Sequence, residues 1–277
     1  ELYRIDDEWW FTDSWGRRPS DANWGYKGTE EPERYHSEWM KRSREAEYDY
    51  SSFVGFVRAV NDNRFPRELM EQMCDIDMMA ANAMVRGWIS DWDNITRRRG
   101  KNGYQLRRKS DGKWMLVQWD SDLTFGNTGD PIVEHGLTRG FFLDYYVKRR
   151  CNYFLGEMLD KYTNEGNTLS PRLGTWISLE ERASGEYSSN SWKFQNWNNS
   201  RRSVAQSYIG TAWSTRFSVS GNTSTSQDIV NLSGSGGYKV YSVRCVDHPE
   251  AVLDWPRETA WSLKGIQLHE GENELTF

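Results

Sequence analysis

Along residues 75–92 the apolar positions Ile76, Met79, Ala80, Ala83, Met84 and Trp88 recur at steps of three and four. That spacing predicts a helix with a wide buried face, capped at its start by Asp75. Upstream, DYSSFVGFVRAV reads as a short amphipathic helix, and NRFPRELMEQM as another with Pro66 in its first turn. Downstream the period falls to two. GYQLRR and KWMLVQW read as strands, and the Asp-Gly of KSDGK between them signals a hairpin. Residues 139–162 return to a helical pattern, and RRSVAQSYIGTAW reads as a last helix. Residues 165–200 read as polar and irregular, and residues 1–50 as a loop-rich, Trp-rich segment with short strands.

From about residue 214 the pattern shifts to short runs of β-branched and aromatic residues with turn signals roughly every ten residues. This predicts a small all-β, sandwich-like domain over 214–277, with GNTSTSQ at 221–227 as a linker or loop. The fold class is therefore α+β, with helices and a hairpin over 1–213 and a β-module behind them. Hydrophobic content of 37% is low, but 15 Trp, 14 Tyr and 11 Phe supply enough buriable area for cores; WW at 9–10 and WSL at 261–263 fit strand packing. A net charge of −5 provides no basic field for nucleic acid. No run reaches the roughly 18 apolar residues of a membrane span. Cys74, Cys151 and Cys245 are too far apart for a disulfide framework and read as three buried thiols, and the four histidines show no ligand spacing. Sequons at Asn94, Asn198, Asn222 and Asn231 are three-letter matches only. A start at Glu1 and an end in ENELTF read as a piece of a longer polypeptide.

The chemistry sits where a strand runs into charge. In LVQWDSDLTFG, Asp120 and Asp122 close the second hairpin strand, while Asp91 and Asp93 follow the long helix in SDWDN. If the hairpin returns to the helix end, these carboxylates converge, and a Mg²⁺ or Mn²⁺ ion would offset their repulsion. A carboxylate off the metal could then serve as general base. The bland alternative is a solvated acidic turn. An EF-hand loop is excluded because DSDLTFG lacks the further acidic positions and the late Glu. RRRGK at 97–101 reads as a solvated loop or as a contact for phosphates or an acidic substrate.

The order of WDN, KNGY, hairpin and WDSDLTFG is that of a protein kinase's base loop and metal-binding strand end, without its HRD and strict DFG signatures. Residues 75–126 resemble the spore coat protein H (CotH) kinase-like family, and the resemblance extends more weakly over 2–213, through LYRIDDEWW, WGYKG, LTRGFFLDYYVKRR and RRSVAQSYIG. It implies a kinase-like second lobe, with a first lobe expected before residue 1, and an atypical protein kinase using ATP and Mg²⁺ or Mn²⁺. By position, Asp93 would be the base, and Asp122, Asn102 and Asp120 the metal ligands. It also implies a protein Ser/Thr substrate, surface or coat partners, and a secreted or cell-surface setting. The rival is a catalytically inactive kinase-like binding or structural protein. The long basic loop and Gly103, where relatives carry Asn, favour it; Asp93 and Asp122 favour the enzyme.

Overall fold

The structure is a computed structural model describing residues 1–5, 24–36, 38–44, 48–62, 64–97, 101–122, 124–133, 139–164, 169–185, 190–220 and 224–277. Trp9, Trp10, His135, Asn222, Arg98, Arg99 and Gly100 lie outside these, as does the start of the 221–227 linker. The chain divides into two compact units, Glu1–Tyr208 and Ile209–Phe277.

The first unit is α+β. Its sheet runs β2 (Trp39–Lys41), β1 (Leu2–Ile5), β3 (Gly103–Arg107), β4 (Trp114–Gln118), antiparallel throughout. The expected hairpin is β3–β4, turning through Gly112 at φ 73°, where a side chain would be strained. Its outer neighbour β1 comes from a hundred residues upstream, with Ile5 opposite Gly103. One aromatic cluster fastens the sheet to α1 (Ser51–Asn61): Phe53 meets Trp39 at 4.4 Å and Tyr3 at 4.8 Å, and Phe56 meets Trp114 at 5.2 Å. Such pairs add about 0.5–1.5 kcal/mol each beyond area burial.

After α2 (Arg67–Met73), which Pro66 precedes, comes α3 (Ile76–Trp88). Asp75 caps it as expected, accepting the Met78 amide at 3.1 Å. The helical pattern of 139–162 is broken once. A short α4 (Arg139–Phe142) gives way to α5 (Tyr145–Lys161) because Asp144 leaves the helical conformation and caps α5 through the amides of Tyr146 and Val147. Helix α5 packs on α3, and Arg150 holds Asp77 at 2.6 and 2.9 Å.

Residues 165–200, expected to be irregular, instead contain α6 (Leu169–Ser184) and the start of α7 (Asn190–Ile209). The buried stripe of α7 is partly polar, with Asn198, Arg201 and Ala205 at steps of three and four. That chemistry hides the first half of α7 from an apolar-period reading, while its second half is the helix expected at RRSVAQSYIGTAW. Its function is to close other helices. Fully buried Arg201 donates to the carbonyls of Trp88 (2.8 Å) and Gly87 (2.5 Å) at the end of α3, and Arg202 donates to Leu159 O (2.6 Å) near the end of α5. Cations suit these carbonyl-rich termini. Burial brings the Arg201 pKa down to about 10, which leaves it charged at neutral pH.

The second unit is all-β, as expected. Its described strands form one antiparallel sheet in the order β5 (Phe217–Ser220), β6 (Ile229–Gly236), β8 (Ala260–Gln267), β7 (Val252–Arg257). Trp255, Trp261, Leu263 and Ile266 are buried, with Phe217 stacked on Trp261 at 5.5 Å. Cys74, Cys151 and Cys245 are buried thiols that form no disulfide. Among the described residues no helix is long and apolar enough to cross a membrane.

Gly140 shows how closely α4 meets α1: a Cβ there would collide with the Val60 and Asp62 backbone carbonyls. Gly140→Ala should cost about 2–3 kcal/mol, since backbone cannot yield as a side-chain tip can. Urea unfolding of the two proteins checks this, and an unchanged midpoint would contradict the packing.

Candidate active site

The site is organised by an arginine that the α3 pattern places among apolar residues. Arg86, 2% exposed, donates Nε to Asp91 Oδ2 (2.5 Å), Nη1 to the Asn102 carbonyl, and Nη2 to the carbonyls of Trp119 (3.4 Å) and Asp120 (3.2 Å). One guanidinium thus joins the helix, the loop after it, the start of β3 and the exit of β4. A planar fork with several donors suits such convergence, which an ammonium could not satisfy. The hairpin does return to the helix end: Phe125 N also donates to Ile89 O (2.7 Å), and Ser90 Oγ to Asp130 Oδ2 (2.7 Å).

Local chemistry shapes the loop after α3. Ser90 takes a left-handed turn (φ 54°), and Asp91, 1% exposed, accepts Asp93 N at 3.1 Å. Burial pushes the Asp91 carboxyl above its ordinary pKa, with Arg86 pulling it back. Asp91 is therefore a structural partner of Arg86. Asn94 is fully buried, its amide donating to Asp91 O (2.7 Å) and its oxygen accepting from Thr96 N and Oγ1. Asn198 is also buried and bonded to Thr163 O, so neither of these sequons presents its amide for a glycan.

Asp93 is brought to Asn102, whose amide nitrogen donates to Asp93 Oδ2 at 3.3 Å. Asn102 holds a left-handed φ of 56°, a conformation Asn tolerates better than most residues. The Lys101 Nζ lies 3.3 Å from the same Oδ2, and Lys101 N donates to Asp93 O at 2.9 Å. The basic loop is thus not simply solvated at its described ends: Arg97 is buried and donates to Pro131 O (2.7 Å), and Lys101 covers Asp93.

Asp120 and Asp122 are exposed and adjacent, with Asp120 at a left-handed φ of 50°. Desolvation first, then the charge of Asp122, raises the Asp120 pKa, while Lys101 lowers it. Among the described residues no three Asp, Glu, His or Cys side chains lie close enough to hold a metal by themselves. The four aspartates of the sequence reading therefore separate into three roles of position: Asp91 on Arg86, Asp93 under Lys101 and Asn102, and the Asp120–Asp122 pair at the strand exit. A crowded pair of hard oxygen donors fits Mg²⁺ or Mn²⁺, since Mg²⁺ takes one or two carboxylates and completes its shell with water and phosphate. Arg86 and Lys101 escaped the sequence reading of the site; the only trace was a basic residue in an apolar helix and the RRRGK run.

Comparison with family models matches residues 1–167 to the CotH kinase protein family. The chain belongs to the CotH kinase family. The match covers the sheet, α1 to α5 and every aspartate of the site, so the α+β unit is kinase-like. No curated protein matches the chain.

The raised Asp120 pKa has a consequence for this CotH-family site. A carboxyl whose folded pKa exceeds its unfolded value opposes folding when ionised. The opposition is present at neutral pH and vanishes below the unfolded value of about 3.9. Asp122→Asn should therefore stabilise the metal-free protein at neutral pH by a few tenths of a kcal/mol, the small scale of solvent-screened pairs. The gain should fade below about pH 4. Urea unfolding at both pH values measures it, and a gain that persists in acid would contradict the repulsion.

Proposed function

We propose that the protein is an atypical, CotH-type protein kinase that transfers the γ-phosphoryl group of ATP to a protein Ser or Thr hydroxyl. The observation that carries this reading is the convergence on Arg86. One buried guanidinium holds the loop bearing Asp93 and Asn102 against the strand exit bearing Asp120 and Asp122. Family membership supplies the reaction class.

In this reading Asp93 accepts the proton of the substrate hydroxyl, with Asn102 orienting its carboxylate. Asp122 and Asp120 would hold Mg²⁺ or Mn²⁺ with the nucleotide phosphates. Asn102 can join them through its amide oxygen, because its nitrogen is the atom given to Asp93. The ion would neutralise charge on the phosphates, and the remaining acceleration comes from holding the reactants in line. The kinase-like domain spans 1–213 and the appended β-module 214–277. Together they point to a secreted or cell-surface protein acting on surface or coat proteins.

A second reading, a catalytically inactive kinase-like binding protein, is favoured by one observation: the Lys101 ammonium already lies on Asp93.

Incubating the protein with Mg²⁺ and γ-labelled ATP separates the two. Autophosphorylation is expected, falling by about 10²–10⁴-fold in Asp93→Asn, the usual contribution of a general base. It should fall to background in Asp122→Ala. Equal label in the parent and Asp122→Ala would overturn the metal role, and no label in the parent would leave the inactive reading.

A further inference from the structure

We propose that Lys101 is the resident counter-cation of the acidic site, an autoinhibitory group that repels a divalent cation arriving alone and is displaced when metal and nucleotide bind together. The inference rests on the reading that Asp93 and Asp122 belong to a metal-nucleotide site.

Three observations place Lys101 there. Its backbone is fixed to the residue it covers, with Lys101 N donating to Asp93 O at 2.9 Å. Its side chain is 14% exposed over an Asp93 side chain that is 3% exposed, with Nζ 3.3 Å from Oδ2. Its loop is also fastened to the other half of the site: Arg86 donates to the carbonyls of both Asn102 and Asp120, and Gly103 pairs with Gln118 across β3 and β4. The ammonium therefore sits on the base loop where that loop runs beside the strand exit. Among the described residues no trio of acidic, His or Cys side chains gathers to bind a metal unaided.

A divalent cation arriving at Asp120 and Asp122 would meet this fixed positive charge, and Asp93 would stay covered. A lysine is suited to yield, being a point charge on a flexible four-carbon stem. ATP phosphates entering with the metal would offer the displaced ammonium new anionic partners. Metal and nucleotide should then bind cooperatively, with Lys101 as the coupling element. Metal alone should bind weakly, and Asp93 should be uncovered only when the nucleotide is present to hold Lys101 elsewhere.

The test is a Mn²⁺ titration of the whole chain without nucleotide, followed by electron paramagnetic resonance of the free ion. Lys101→Met and Lys101→Gln should bind Mn²⁺ about tenfold more tightly than the parent, the scale of one partly screened charge pair. Lys101→Arg, which keeps the charge, should match the parent. Unchanged or weaker binding in both neutral variants overturns the inference. Binding that survives Asp122→Ala overturns the underlying metal-site reading instead.

Discussion

Arg86 is a charge placed in the interior, and most of the unit's functional geometry follows from satisfying it. Its donors meet the Asp91 carboxylate and the carbonyls of Asn102, Trp119 and Asp120. Those acceptors lie on the loop after α3, on the residue that leads into β3 and on the exit of β4, two strand ends already paired through Gly103 and Gln118. Removing one partner of a buried ion pair costs about 3–5 kcal/mol, because the other is left uncompensated. The loop that carries Asp93 and the strand exit that carries Asp122 are thus tied to one rigid element as well as to each other through the β3–β4 pairing. Asp120 and Asp122 remain exposed and Asp93 lies buried under Lys101, with the backbones of both segments fixed.

A similar device recurs behind the site. Arg201 reaches from α7 to the last carbonyls of α3 and to those of Thr128 and Asp130. Trp197 from the same helix donates to Gly126 O at 2.9 Å and packs on Phe125 at 5.0 Å. The end of α3 is therefore held on one side by Arg86 and on the other by Arg201.

How much of this the sequence shows depends on whether burial is apolar. Helix α3 and strand β4 are legible because most of their buried positions are Ile, Met, Ala, Trp and Leu at regular periods, and the Asp-Gly turn marks the hairpin that joins β4 to β3. Helix α7 is legible only in its second half, as RRSVAQSYIGTAW; its first half is not, because the buried position there is the polar Asn198. The pairing of β1 with β3 leaves no local trace, being set by a partner about a hundred residues away. In the site, Asp93, Asn102, Asp120 and Asp122 stand out by spacing and family resemblance. The assignment of Asp91 to Arg86 and the cover of Lys101 over Asp93 do not, since both depend on which distant segments meet. Asp91 and Asp93 look equivalent in SDWDN; the fold alone gives one the Arg86 guanidinium and sets the other, also buried, against Lys101 and Asn102.

The central claim is that this Arg86-held loop and strand exit form one metal-nucleotide site with Lys101 as its movable cation. A crystal structure of the protein with Mn²⁺ and a non-hydrolysable ATP analogue, with the metal located by its anomalous scattering, tests it most directly. The account predicts Mn²⁺ bound by Asp122 beside the phosphates, with the Lys101 ammonium moved off Asp93. Mn²⁺ bound away from Asp122, with Lys101 still on Asp93, would contradict it.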